Sequence, residues 1–161
     1  MSHRRKTPLL ALAATAALAL TGAATQSAYG GGEQPQARSA GTFALNENAN
    51  LHLTSKHGFT LNEQGHATGT VKGTIYVHLT IVSSSRVTAE MNIYPSNGSI
   101  TAKGSAAYHR GRSSASFSGS LSVVRGTGAY SHARGSGLRQ SGTIQRSNDA
   151  VSVHVSGRAS D

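Results

Sequence analysis

Residues 73–82 read GTIYVHLTIV, and their side chains alternate in kind: Ile75, Val77, Leu79 and Ile81 fall on one face, Tyr76, His78 and Thr80 on the other. A period of two, with branched residues on the apolar side, is what a strand with one buried face requires. Ser83-Ser84-Ser85 interrupts it as a turn, and the pattern resumes with Val87, Ala89, Met91 and Ile93 set against Thr88, Glu90, Asn92 and Tyr94. Pro95-Ser96-Asn97-Gly98 comes next, and Asn-Gly readily takes the positive φ of a tight hairpin.

The same period continues toward the C-terminus. A strand is expected over residues 99–108, with Ile100 and Ala102 opposite Thr101 and Lys103. Another is expected over 113–124, where Ala115, Phe117, Leu121 and Val123 share one face and Ser114, Ser116, Ser118, Ser120 and Ser122 the other. Serine at every second position marks a solvated face. Residues 136–145 and 150–157 make a last pair around Arg146-Ser147-Asn148-Asp149, with Val151, Val153 and Val155 opposite Ser152 and His154. Toward the N-terminus the pattern is fainter: Phe43-Ala44-Leu45, Leu51-His52-Leu53 and residues 67–72 predict two or three further strands. With no helical period and short connections, the fold class is all-β. The expectation is a closed antiparallel barrel of about eight strands over residues 42–161, which also leaves no exposed edge.

The first residues read differently. Arg4, Arg5 and Lys6 precede an almost unbroken Leu/Ala run from Leu9 to Leu20, and small residues follow to Ala28. That is the layout of a secretory signal peptide over residues 1–28, ending at Ala24 or Ala28; a membrane anchor needs about 20 apolar residues. Arg4-Arg5 hints at twin-arginine export, although Lys6-Thr7-Pro8 continues that signal poorly. Residues 29–41, rich in Gly and Gln, read as a flexible linker. The protein is therefore expected to be secreted, extracellular or held at the cell envelope, with no transmembrane segment once processed.

Cysteine is absent, so no disulfide, thiolate metal site or cysteine nucleophile exists. The 161 residues carry 15 basic and 6 acidic side chains; without Arg4, Arg5 and Lys6 the balance is 12 to 6, a net +6. Such a surplus suits loose attraction to anionic envelope polymers. Only Arg110 and Arg112 stand close together, and no nucleic-acid-binding motif occurs, so specific nucleic-acid binding is not expected.

One stretch is more specific than strand patterning. Residues 125–138, RGTGAYSHARGSGL, resemble the Gly-Thr/Ser-Gly-x-Tyr/Phe-x-x-Ala-x-Gly segment of the allene oxide cyclase and dirigent β-barrels and of small exported bacterial proteins with the same pattern. The resemblance implies that Gly126, Gly128 and Gly135 match the family glycines, Tyr130 an aromatic plug and Ala133 a small packing residue, within a turn and one short helical loop. It further implies an eight-stranded barrel, sometimes a homo-oligomer, whose lumen binds an apolar small molecule. The matched segment does not include the family's catalytic positions, so the resemblance assigns no catalytic residue and stops at the structural loop. The stretch is not a phosphate-cradling loop, since Ser131 stands where the third glycine belongs.

Chemistry is sparse elsewhere. Of the histidines at 52, 57, 66, 78, 109, 132 and 154, none has a helical metal-binding spacing. His78 and His154, with Glu90 on the same polar face, could converge across strands as an acid–base or metal cluster. Tyr76, Tyr94, Tyr108 and Tyr130 could line a mouth, although aromatics more often cover strand faces and barrel ends. Tyr76, His78, Glu90, Tyr94 and His154 are accordingly the ligand-binding candidates. No Gly-x-Ser-x-Gly elbow occurs, and Asp149 fits a hairpin turn better than a triad. Glu47, Glu63 and Glu90 are the only carboxylates within the fold that could pair for glycoside cleavage. No catalytic constellation, resident metal or cofactor is expected. Three functions follow: a non-catalytic or ligand-binding secreted barrel, a cyclase or isomerase acting by confinement, or an envelope protein binding anionic polymer.

Overall fold

The computed structural model describes residues 41–161; the expected leader and all of the linker except Gly41 lie outside them. Eight strands run in chain order: β1 (Thr42–His57), β2 (Thr60–Gly69), β3 (Gly73–Ser83), β4 (Arg86–Tyr94), β5 (Gly98–Arg110), β6 (Ser114–Gly128), β7 (Gly135–Gln145) and β8 (Val151–Ser160). Each pairs antiparallel with the next, and β8 pairs back onto β1 from Thr42↔Ser160 to Leu51↔Val151. The sheet therefore closes, and no strand edge is left to recruit another chain.

Closure puts one residue in two inside. Ile75, Val77 and Leu79 from β3, Val87, Met91 and Ile93 from β4, and Leu121 and Val123 from β6 are all buried. So are Val151, Val153 and Val155 from β8. Each branched side chain contributes roughly 1.5–3 kcal/mol when fully buried, so the valine and isoleucine rows stabilise the barrel without a disulfide. The outer wall is polar, with Asn46, Asn48 and Asn50 on β1 and the alternate serines on β6 exposed or half-buried. It has no apolar band of the kind a membrane-spanning barrel carries. Among the described residues no helix is long and apolar enough to cross a membrane.

The first two strands differ from expectation. Phe43–Leu45 and Leu51–Leu53 belong to one 16-residue strand, β1, and residues 67–72 split into the end of β2 and a turn. The inward positions are Leu45, Glu47, Ala49 and Leu51 on β1, and Leu61, Glu63, Gly65 and Ala67 on β2. A glutamate at an inward position interrupts the apolar period, so the sequence pattern looked broken where the strand is continuous.

The two ends of the barrel are built differently. Connections 58–59, 84–85, 111–113 and 146–150 form a hairpin end; connections 70–72, 95–97 and 129–134 form a loop end. At the loop end the core is covered, and the hollow of about 570 Å³ beside Thr42, Arg134 and Ser160 is an open surface groove. Tyr130 lies over the core with its ring 6.5 Å from that of Phe43, and Ala133 is fully buried. The segment carrying them consists of tight turns, not the helical loop the resemblance implied: Ala133 N–H donates to Tyr130 O at 2.9 Å, and Ala129 N–H to Asn97 O at 2.9 Å. Gly128 adopts φ +60°, and a Cβ on Gly126 would strike the Tyr130 carbonyl, so these two glycines let the turn fold back on β6. Gly135 opens β7, where Arg134 and Ser160 exchange backbone hydrogen bonds of 2.8 and 2.7 Å.

Candidate functional site

The hairpin end is open. A cavity of about 260 Å³ lies between the strand tips, walled by Phe59, Leu61, Ile81, Tyr108, Ala115 and Ile144. Its rim is polar: Lys56, Arg110, Arg146 and Asp149. A second hollow of about 260 Å³ shares Phe59, Ile81, Tyr108 and Arg110 and extends over Val82, Ser83 and Ser84.

Local sequence explains how these groups meet. The β1–β2 register slips between Leu53 and Ser55, so that Lys56 pairs with the inward residue Leu61. A bulge re-aims the side chain that follows it, and here it brings a cation to the mouth. Lys56 Nζ donates to Asp149 Oδ2 at 2.6 Å. Asp149 holds φ +55°, a conformation that Asp tolerates in a turn. Arg146 donates through Nη1 to Gly111 O at 3.1 Å and ties two hairpin turns together. Across the mouth, Ile81 N–H donates to Phe59 O at 2.9 Å, which fixes the tip of the β1–β2 turn against β3.

Glu63 is the next inward residue on β2 after Leu61. Only 1% of it is exposed, and neither carboxylate oxygen has a hydrogen-bond partner. Burial, reinforced by the negative charge of Asp149, pushes its carboxyl up to about 7. Glu47, by contrast, takes the Val71 N–H on Oε1 at 2.6 Å, while its Oε2 is unpartnered. Burial raises its carboxyl too, opposed by the backbone N–H groups of Val71 and Thr70.

The residues named from sequence as ligand-binding candidates lie elsewhere. Tyr76 and Tyr94 stand on the outer wall, edge to face with ring centres 5.8 Å apart. His78 and Glu90 are cross-strand neighbours on the outside of β3 and β4. Hydrogen bonding from Lys103, at 2.9 Å, holds the Glu90 carboxyl below its ordinary value, and His78 Nδ1 meets Asn62 Oδ1. His154 Nδ1 lies 2.9 Å from Asn48 Oδ1 on the far side of β1. β1 and β2 separate β8 from β3, so His78 and His154, which the sequence allowed to converge, stand apart; side chains on the outside of a barrel diverge. Among the described residues no three His, Asp or Glu side chains gather as a metal site. Of the tyrosines considered for a mouth, Tyr108 reaches it and Tyr130 covers the opposite end.

Sequence reasoning missed Phe59 and Leu61 as members of one site; Glu63, considered there only as a carboxylate that could pair, lies one inward position below Leu61 and does not line the cavity. The available signal was Lys56-His57-Gly58-Phe59: Gly58 takes φ +59° and makes the hairpin, with an aromatic residue at its tip. Comparison with known proteins adds nothing to this geometry: no family model, curated protein or solved structure matches the chain.

Proposed function

We propose that the chain is an exported binding barrel that holds a small amphipathic molecule, with an apolar body and one anionic group, in the hairpin-end mouth. The observation that carries this reading is the composition of the cavity: six apolar side chains form its wall, and its rim has three cations against one carboxylate. Lys56 already neutralises Asp149, so the charges of Arg110 and Arg146, the latter with Nη1 on Gly111 O, are uncompensated by any carboxylate among the described residues. A volume of about 260 Å³ lies just below the usual range for ligand pockets, which sets the ligand at the small end. The signal-peptide-like leader and the resemblance of residues 125–138 to the allene oxide cyclase and dirigent barrels support the same reading; that resemblance implies an eight-stranded barrel binding apolar small molecules.

Native mass spectrometry of the secreted protein, followed by calorimetric titration with 2-naphthalenesulfonate, tests it. The expected result is one site per chain. Ala115→Leu, which fills the cavity, should weaken binding at least tenfold, and Arg110→Gln with Arg146→Gln severalfold. Unchanged affinity in Ala115→Leu would remove the cavity from the account.

A second reading, a cyclase or isomerase, is favoured by Glu63 alone. It is a buried inward carboxyl with no hydrogen-bond partner, next inward after Leu61 of the cavity wall, and burial raises it toward the range in which a carboxyl can exchange a proton. Glu63→Gln separates the two: a carrier keeps its affinity, whereas an enzyme keeps its affinity and loses conversion of the molecule recovered from the secreted protein.

A further inference from the structure

We infer that the hairpin end is also a docking surface for an anionic lipid bilayer. Two observations meet there. The first is exposed apolar surface at the tips: Phe59 is 74% exposed and Val82 57%. Gly58, at φ +59°, turns the chain so that Phe59 leads β2, and the Ile81 N–H to Phe59 O bond sets the two tips side by side. An aromatic ring left this exposed is costly in water and suits the boundary between headgroups and acyl chains.

The second observation is charge. Lys56, Arg86, Arg110, Arg112 and Arg146 are all exposed at this end, on the last turn of β1, the start of β4, the end of β5 and two hairpin connections. Asp149 is the only carboxylate among these hairpin tips, and it is bound to Lys56. The four arginines have no carboxylate partner among the described residues. Cations ringing an apolar tip match a surface that offers anionic headgroups above a hydrocarbon layer. A soluble polyanion would use the arginines and leave Phe59 and Val82 idle, which is why the bilayer is the occupant these residues favour. The polar outer wall limits the contact to an end-on one. Phe59 and Arg110 also line the cavity, so Ala115→Leu, which blocks the cavity without touching the exposed tips, separates docking from ligand binding.

The test uses vesicles of phosphatidylcholine alone and of phosphatidylcholine with phosphatidylglycerol. The chain contains no tryptophan, so Phe59→Trp places a single reporter at the tip. Its emission is expected to move to the blue with the anionic vesicles only, and the shift to diminish with salt. In co-sedimentation, Arg110→Gln with Arg112→Gln, and separately Phe59→Ser with Val82→Ser, should each weaken binding roughly tenfold. Lys72→Gln and Arg134→Gln at the loop end should change it little, as should Ala115→Leu in the cavity. All these positions except Ala115 lie at the surface or in turns, and a preserved far-ultraviolet spectrum establishes folding. Absence of binding to anionic vesicles at low salt would overturn the inference. So would binding of a soluble polyanion that is as tight as vesicle binding and indifferent to Phe59→Ser, which would make this a polymer site.

Discussion

Glu47 and Glu63 both point into the barrel, one toward the loop end and the other toward the hairpin end, and their surroundings differ. Glu47 closes the β2–β3 connection by accepting the Val71 N–H at 2.6 Å, so its burial is in part repaid by structure. Glu63 accepts nothing, although it is equally buried. The same contrast extends to the ends themselves. Tyr130, Phe43 and Ala133 cover the core at the first, while the second opens on a cavity rimmed by Lys56, Arg110 and Arg146. An unpaired carboxyl is tolerated in a small barrel only at a cost in stability, and structures accept such costs mainly where function requires them. The carboxyl with no partner and the cavity both lie toward the hairpin end, which is why the proposed function is assigned there.

The largest expected effect breaks this comparison at Glu63. Its folded carboxyl stands at about 7 against an ordinary 4.5, so the folded state binds the proton more tightly than the unfolded chain. The stabilisation is complete below pH 4.5, falls as pH rises, and is gone above 7; the difference is about 3 kcal/mol. Urea unfolding at a series of pH values should show this decline in the wild type and a much flatter profile in Glu63→Gln. Part of the slope will remain, because burial raises the Glu47 carboxyl in the same direction.

At the loop end, Glu47→Ala should cost about 2 kcal/mol, since it leaves the Val71 N–H buried without an acceptor. Tyr130→Ala should cost somewhat less, roughly 1–2 kcal/mol, because the ring is only partly buried, and uncovering the core should give the variant a second, lower-affinity site for 2-naphthalenesulfonate. The smallest effect is expected from Asp149→Asn. Asn tolerates the same positive φ, and the exposed ion pair with Lys56 is worth less than about 1 kcal/mol. Its value is diagnostic: loss of the negative charge should lower the Glu63 carboxyl, visible in a carbon-detected titration.

The same pair of glutamates explains how much of the molecule could be read from its sequence. β3 to β8 were legible because Ile75, Val77 and Leu79, or Val151, Val153 and Val155, keep an unbroken period of two. β1 and β2 were not, because Glu47 and Glu63 occupy inward positions that a period of apolar residues does not anticipate. The site was obscured for a related reason. Tyr76, His78 and His154 are conspicuous as residue types but lie on the outer wall, where curvature separates them. The mouth is assembled from Phe59, Tyr108 and Ala115 on three different strands or turns, and only barrel closure and the slip before Lys56 bring it together.

Chemical-shift mapping of the isotopically labelled protein with 2-naphthalenesulfonate tests the division between the two ends most directly. Saturable shifts should concentrate at Phe59, Ile81, Tyr108, Ala115 and Ile144 and leave Phe43, Tyr130 and Ala133 unmoved. Shifts centred instead on the loop end, or on Tyr76 and Tyr94 along the outer wall, would contradict the account.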